Sequence, residues 1–204
     1  GGGDDQLLGD NLAVSASGGN DYVEGGDGND FVQGGAGRDI IFGGVGDDLL
    51  NGDEVAGDNS GAFDDWLDGG SGNDDLQGGA GSDVLIGGAD KDFLLGDKAL
   101  SQGGTIAAGG ADSLDGGSGD DYLDGQFGDD VLVGGLDHDI VNGGDGSDVL
   151  YGGAGNDTLS GDLRIEVSGG RYALSEYRGA GGDDLLVGEE GNDVLLGGEG
   201  SDVL

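Results

Sequence analysis

The stretch Gly25-Gly26-Asp27-Gly28-Asn29-Asp30-Phe31-Val32-Gln33 runs without a gap into Gly34-Gly35-Ala36-Gly37-Arg38-Asp39-Ile40-Ile41-Phe42. Gly43-Gly44-Val45-Gly46-Asp47-Asp48-Leu49-Leu50-Asn51 follows directly. The three blocks share one nine-residue pattern, G-G-x-G-x-D-x-U-x, in which U is a large aliphatic residue. Complete copies begin again at Gly69, Gly78, Gly116, Gly143 and Gly152, a truncated copy begins at Gly197, and degenerate copies bring the total to eighteen turns. A fixed short period marks a repeat fold, in which each unit buries its apolar side chain only against its neighbours.

The sixth position is Asp in every turn: Asp5, Asp21, Asp30, Asp39, Asp48, Asp65, Asp74, Asp83, Asp92, Asp112, Asp121, Asp130, Asp139, Asp148, Asp157, Asp184, Asp193 and Asp202. Two places later the residue is always aliphatic, from Leu7, Val23 and Val32 to Leu195 and Leu204. A solvated acidic tract has no reason to keep these two residue types in phase.

Composition alone points elsewhere. The 204 residues include 55 glycines and no proline, cysteine or methionine, and 44 acidic against 6 basic residues give a net charge of -38. High glycine with high charge is the signature of disorder, and only the repeat overrides it. Collagen is excluded because it needs a three-residue period rich in proline. Absence of cysteine excludes disulfide scaffolds, thiolate zinc sites and iron–sulfur clusters. The charge repels nucleic acid and anionic lipid, and no apolar run approaches a membrane span, so neither nucleic acid nor membrane insertion is expected. Nothing at the start of the sequence resembles a signal peptide.

Each repeat reads as a glycine turn followed by a very short strand. Glycines at positions one, two and four permit positive φ and close backbone approach, and in x-U-x only U points to one face. One U per nine residues suits a flattened coil of two turns and two strands, eighteen residues per revolution. The expected fold is therefore all-β: a parallel β-roll, or β-solenoid, of about nine coils stacked roughly 4.8 Å apart, with two facing U ladders inside. Two aliphatic side chains per coil make a thin core against the entropy of ordering eighteen residues. A ligand has to supply the difference.

The spacing names its class. An Asp at the end of each turn sets carboxylates in files along both edges of the rod, with Asp30 and Asp48 on one edge and Asp39 on the other. Paired carboxylates with outward loop carbonyls form an all-oxygen cage. Such a cage suits Ca²⁺, whereas Mg²⁺ demands tighter octahedral geometry and softer metals want thiolate or imidazole.

These residues match a known pattern. The nonapeptide resembles the RTX, or haemolysin-type calcium-binding, repeat over essentially all 204 residues. The resemblance implies a parallel β-roll with Ca²⁺ between turns on the same edge, and nine turns on each of two edges then allow up to about sixteen ions. It also implies carbonyl ligands near the second and fourth positions beside the sixth-position Asp. Carried over, those donors are Gly26 and Gly28, Gly35 and Gly37, Gly44 and Gly46, Gly70 and Gly72, Gly79 and Gly81, Gly117 and Gly119, Gly144 and Gly146, and Gly153 and Gly155. Asp90 and Asp137 depart from the pattern at the fourth position, Gln126 and Glu189 at the second, and these turns are still expected to bind. Relatives of this kind are typically exported from Gram-negative bacteria by type I secretion, which implies an extracellular or cell-surface location. The length, the absence of a catalytic constellation and one-sided loops favour a calcium-stiffened structural or adhesive region of a large secreted or cell-surface protein. The alternatives are a secretion and folding module of an exported protease, lipase, epimerase or cytolysin, or a self-assembling surface-layer or filament component. The sequence stops inside a repeat, and reads as one β-roll segment, 1–204, of a longer chain.

Four insertions interrupt the frame, at about 9–19, 52–63, 96–110 and 161–182. Each begins Gly-Asp instead of Gly-Gly: Gly9-Asp10, Gly52-Asp53, Gly96-Asp97 and Gly161-Asp162. They fall in turns two, six, ten and sixteen, so all four loops are expected on one edge. One-sided insertions mark a binding face in some repeat folds, for other surface proteins or further copies of the chain, and tolerated surface variation in others. The last reads as a β-hairpin around Gly169-Gly170, and it carries Arg164, Arg171 and Arg178.

No catalytic constellation emerges, and no catalytic residue is assigned. His138, the single histidine, sits at the variable fifth position of a turn, where an exposed turn residue is the expected role. The close carboxylates that a glycosidase needs are accounted for by metal ligation. No nucleophile elbow or phosphate-loop lysine is present. Trp66, Phe31, Phe93 and Tyr122 occupy position seven, on the outward side of the strand, where ordinary partial burial between coils or under loops is the expected reading and a sugar- or partner-binding stripe the alternative.

Overall fold

The computed structural model describes residues 6–8, 19–53, 63–97, 109–162, 164–168, 171–175 and 181–204, and among them there is no helix. Alternate repeats feed two parallel sheets. The first contains, in spatial order, β1 (Gln6–Leu8), β3 (Phe31–Gly35), β5 (Leu49–Asp53), β7 (Asp75–Gly79), β9 (Phe93–Asp97), β11 (Tyr122–Phe127), β13 (Ile140–Asp145), β15 (Thr158–Ser160) and β19 (Val194–Leu196). The second contains β2 (Tyr22–Asp27), β4 (Ile40–Val45), β6 (Trp66–Ser71), β8 (Val84–Ala89), β10 (Ser113–Ser118), β12 (Val131–Leu136), β14 (Val149–Gly155) and β18 (Leu185–Gly191). Register is held by the period: Val32 pairs with Leu50 and Leu50 with Leu76, while Ile41 pairs with Leu67 and Leu67 with Leu85.

Among the described residues the core is the U position and almost nothing else. Fourteen U residues, Val32 through Leu186, form one cluster at no more than 1% exposure, with Val23 and Leu195 packed against it. Leu204 remains 65% exposed.

The glycines divide differently from the sequence reading. Strands run five or six residues in most repeats, through positions one and two, so the tight turn is confined to positions three to six. Position one is not a positive-φ site; Gly26, Gly28, Gly35, Gly37, Gly44 and Gly46 are, at φ 112 to 132. Position one faces inward two residues after U, and there a Cβ would lie 2.1–2.6 Å from the Oδ2 of its own turn's Asp. Glycine is required because the carboxylate folds back under the strand. The four irregular residues take the same left-handed backbone without glycine: Asp90 at φ 77, Gln126 at 75, Asp137 at 80 and Glu189 at 69.

The four insertions connect β1 to β2, β5 to β6, β9 to β10 and β15 to β18, each passing from the first sheet to the second. Most of their length lies outside the described residues. The exception is an antiparallel hairpin, β16 (Arg164–Ser168) and β17 (Arg171–Ser175), with Ser168 opposite Arg171. It is the hairpin expected from the alternation there, and β16 lies against β13. Arg178 is outside the described residues.

The position-seven aromatics Trp66, Phe31, Phe93 and Tyr122 do not form one stripe. Trp66 is in the second sheet, where Phe42 meets it edge-on at 5.1 Å and lies tilted against Tyr22 at 5.6 Å. Phe93 and Tyr122 stack at 4.8 Å on the first sheet, and Tyr122 is buried. Phe31 sits apart, opposite Leu49.

Candidate metal centre

The sixth-position aspartates form two files. On the edge that carries the insertions, Asp21, Asp39, Asp65, Asp83, Asp112, Asp130, Asp148, Asp184 and Asp202 follow one another; on the opposite edge, Asp30, Asp48, Asp74, Asp92, Asp121, Asp139, Asp157 and Asp193. Asp5 lies outside the described residues. Within each file the N–H of one Asp donates to the Oδ1 of the Asp in the next coil at 2.8–3.1 Å, as from Asp30 to Asp48, Asp65 to Asp83 and Asp139 to Asp157. Every coil interface in the described rod carries this bond, even where an insertion separates the partners by 29 or 36 residues.

The second oxygen is left alone. Fifteen of these aspartates, Asp21 through Asp184, have a buried Oδ2 with no hydrogen-bond partner. Fourteen of them are at most 3% exposed. A buried carboxylate oxygen that accepts no hydrogen bond is costly for a fold to hold. The protonation equilibria register that cost. Burial pushes Asp65 up to about 9, Asp112 and Asp148 to about 8, and Asp83, Asp92, Asp130 and Asp139 to about 7. Neighbouring carboxylates add to the rise, and the donated backbone N–H opposes it. Asp74, Asp121 and Asp184 reach about 6 for the same first reason.

Backbone oxygens of the turns face the next coil. The carbonyl oxygens of Gly26 and Gly28 point along the rod, 2.1 Å from where a Cβ on Gly44 or Gly46 would stand. Those of Gly44, Gly46, Gly70, Gly81 and Gly117 are directed likewise at the next turn. Among the described residues no three His, Cys, Asp or Glu side chains close on one point. A cation between turns would therefore draw on carboxylates from adjacent coils and on carbonyls. Hard, flexible, all-oxygen donor sets of this kind fit Ca²⁺, and the orphaned Oδ2 atoms are where its charge is needed.

Position five is not variable in the way the sequence reading assumed. Its side chain accepts the N–H of the fifth residue one coil later: Asn29 from Asp47, Asp47 from Asn73, Asp64 from Ser82, Asp129 from Ser147 and Asn156 from Asn192. His138 belongs to this ladder. Its N–H donates to Asp120, and its Nδ1 accepts from the N–H of Asn156 at 2.9 Å. Arg38 and Lys91 cannot accept, and instead reach forward to the Asp64 carboxylate and the Asp120 carbonyl. The signal was present in the sequence, since position five is Asn, Asp, Ser or His in most turns.

A third carboxylate set, missed entirely, starts the insertions. Asp53, Asp97 and Asp162 occupy position two, and each Oδ2 accepts the N–H of the third-position residue one coil on: Ala80 at 2.7 Å, Phe127 at 3.2 Å and Glu199 at 2.6 Å. Burial, with Asp130 next, raises Asp97 to about 8.

No curated protein matches the chain. The family described as RTX calcium-binding nonapeptide repeat (4 copies) matches residues 15–54, 59–97, 106–141, 133–163 and 177–204, which together span most of the sequence. With the nonapeptide, the two parallel sheets and the paired files of oxygen donors in place, the chain belongs to the RTX calcium-binding repeat family, and the segment is a calcium-binding structural repeat.

Proposed function

We propose that this segment is a calcium-driven folding element, expanded when calcium is scarce and a stiff β-roll when calcium is abundant. The observation that carries the reading is the set of fifteen buried Oδ2 atoms without a partner. Bound Ca²⁺ supplies the positive charge that these oxygens lack and links adjacent coils. The ligands are the sixth-position aspartates of successive turns in each file, with the second- and fourth-position carbonyls beside them, for up to about sixteen ions along the two edges. Without the ion, mutual repulsion within the -38 chain opposes compaction. With it, coupling between neighbouring coils makes folding cooperative.

The setting that suits such a switch is extracellular, where modules of this type bind Ca²⁺ with dissociation constants of about 10⁻⁴–10⁻³ M. The role is to stiffen a structural or adhesive region of a secreted or cell-surface protein. In the test, the chain is titrated with calcium while far-UV circular dichroism is followed. The expected result is a cooperative change from coil to β structure near millimolar calcium, reversed by chelator. A spectrum indifferent to calcium overturns the reading.

A further inference from the structure

We infer that Asp53, Asp97 and Asp162 make the three turns from which those insertions depart the tightest calcium positions of the rod, by setting a third negative charge beside each pair of sixth-position aspartates. This rests on the calcium ligation proposed above and concerns residues outside the repeat's own ligand pattern.

The substitution is geometric. At regular turns a backbone carbonyl of position two approaches the second glycine of the next coil: Gly26 O lies 2.1 Å from a Cβ built on Gly44, and Gln126 O 2.3 Å from one on Gly144. At the insertion turns the chain is leaving the roll, and a carboxylate oxygen takes that place. Asp53 Oδ2 lies 2.6 Å from a Cβ on Gly79, and Asp162 Oδ2 2.4 Å from one on Gly198. Each carboxylate is fixed there by the third-position N–H of the next coil. Asp162 Oδ1 also accepts from Gly182, where the chain returns, so one side chain spans the mouth of the insertion. A neutral acceptor has become an anion without changing the ladder.

The neighbours of that anion are the unpartnered Oδ2 atoms. Asp53 opens the turn that Asp65 closes and bonds the turn that Asp83 closes; Asp97 stands likewise between Asp112 and Asp130, and Asp162 between Asp184 and Asp202. Five of these six have a buried Oδ2 with no partner; Asp202 is half-buried. Calcium affinity rises with the charge gathered at a site. The same charge that makes these turns unfavourable when empty therefore makes them strongest when filled, and they order first as calcium rises.

The test uses the full chain with Asp53→Asn, Asp97→Asn and Asp162→Asn combined, which keeps an acceptor for each N–H and removes three charges. The control removes three charges from exposed outer-face positions: Glu24→Gln, Asp75→Asn and Asp115→Asn. Calcium midpoints are read by circular dichroism, and the tightest binding class by calorimetry. The expected result is a midpoint raised about threefold or more over the control, with the tightest class reduced by three ions. Equal midpoints for the two triple variants overturn the inference. If in addition the corresponding triple Ala variant melts lower at saturating calcium while the Asn variant does not, the three residues are hydrogen-bonding clamps only. Failure of the unaltered chain to respond to calcium would overturn the underlying ligation reading instead, so the two failures are distinct.

Discussion

The N–H of Asp74 donates to Asp92 Oδ1 at 2.9 Å, while Asp92 Oδ2, on the same buried carboxylate, has no partner. One oxygen belongs to the backbone and the other is left for a cation. Asp92→Asn keeps the first function and abolishes the second. In calcium at about ten times the dissociation constant each site adds about 1.4 kcal/mol, so losing the two sites that flank Asp92 lowers stability by about 3 kcal/mol. In chelator the sign reverses, because the variant removes a buried charge. Denaturant melts with and without calcium check both signs.

Acid replaces calcium in part. Ten of the sixth-position carboxylates, Asp65, Asp74, Asp92 and Asp148 among them, are raised by burial on folding from about 3.8 to between about 6 and 9. The folded state therefore holds protons that the unfolded chain has released, and the metal-free fold loses stability as pH rises through that window. The chelated chain is expected to show more β structure at pH 4 than at pH 9. Calcium needs the ionised form, so its apparent affinity moves the other way and increases with pH, with protons released on binding. Circular dichroism in chelator and calorimetry in buffers of different ionisation enthalpy measure the two effects.

Substitutions at glycine separate two kinds of constraint. Gly87→Ala places a methyl carbon 2.4 Å from Asp92 Oδ2 and 2.7 Å from Gly116 O, so it displaces the carboxylate and costs at least about 1–3 kcal/mol in calcium. Glu189 holds a left-handed φ of 69 without glycine, and Glu189→Gly relieves about 1 kcal/mol of strain. Thermal melting of the two variants in calcium should shift in opposite directions.

The fifth-position ladder has its own test. His138→Ala leaves the N–H of Asn156 without its acceptor and is expected to cost about 1 kcal/mol, whereas His138→Asn restores the contact. Equal stability of the two variants would remove the ladder from the list of forces that hold the coils.

The period of nine made the fold legible because it fixes sheet membership and core at once. Asp39 and Asp48 are nine residues apart and fall in different files, while Asp30 and Asp48, eighteen apart, bond directly. Other features were misjudged because a pattern records residue types and not directions. Gly25 and Gly26 look equivalent in sequence, yet one makes room for a carboxylate and the other supplies positive φ. Position five looked free because four chemistries serve it, all sharing a single acceptor function. Asp53, Asp97 and Asp162 looked like faults in the repeat, since nothing in a one-dimensional frame shows that a side chain has taken over from a carbonyl.

The two side-chain ladders run in opposite directions. At position six the earlier coil donates to the later one, as Asp30 does to Asp48; at position five the later donates to the earlier, as Asp47 does to Asn29. A coil joining at either end of a formed stretch therefore finds both a hand to take and a hand to give. The rod has no preferred growing end, and whichever part of the chain first meets calcium can serve as the seed from which it zips both ways.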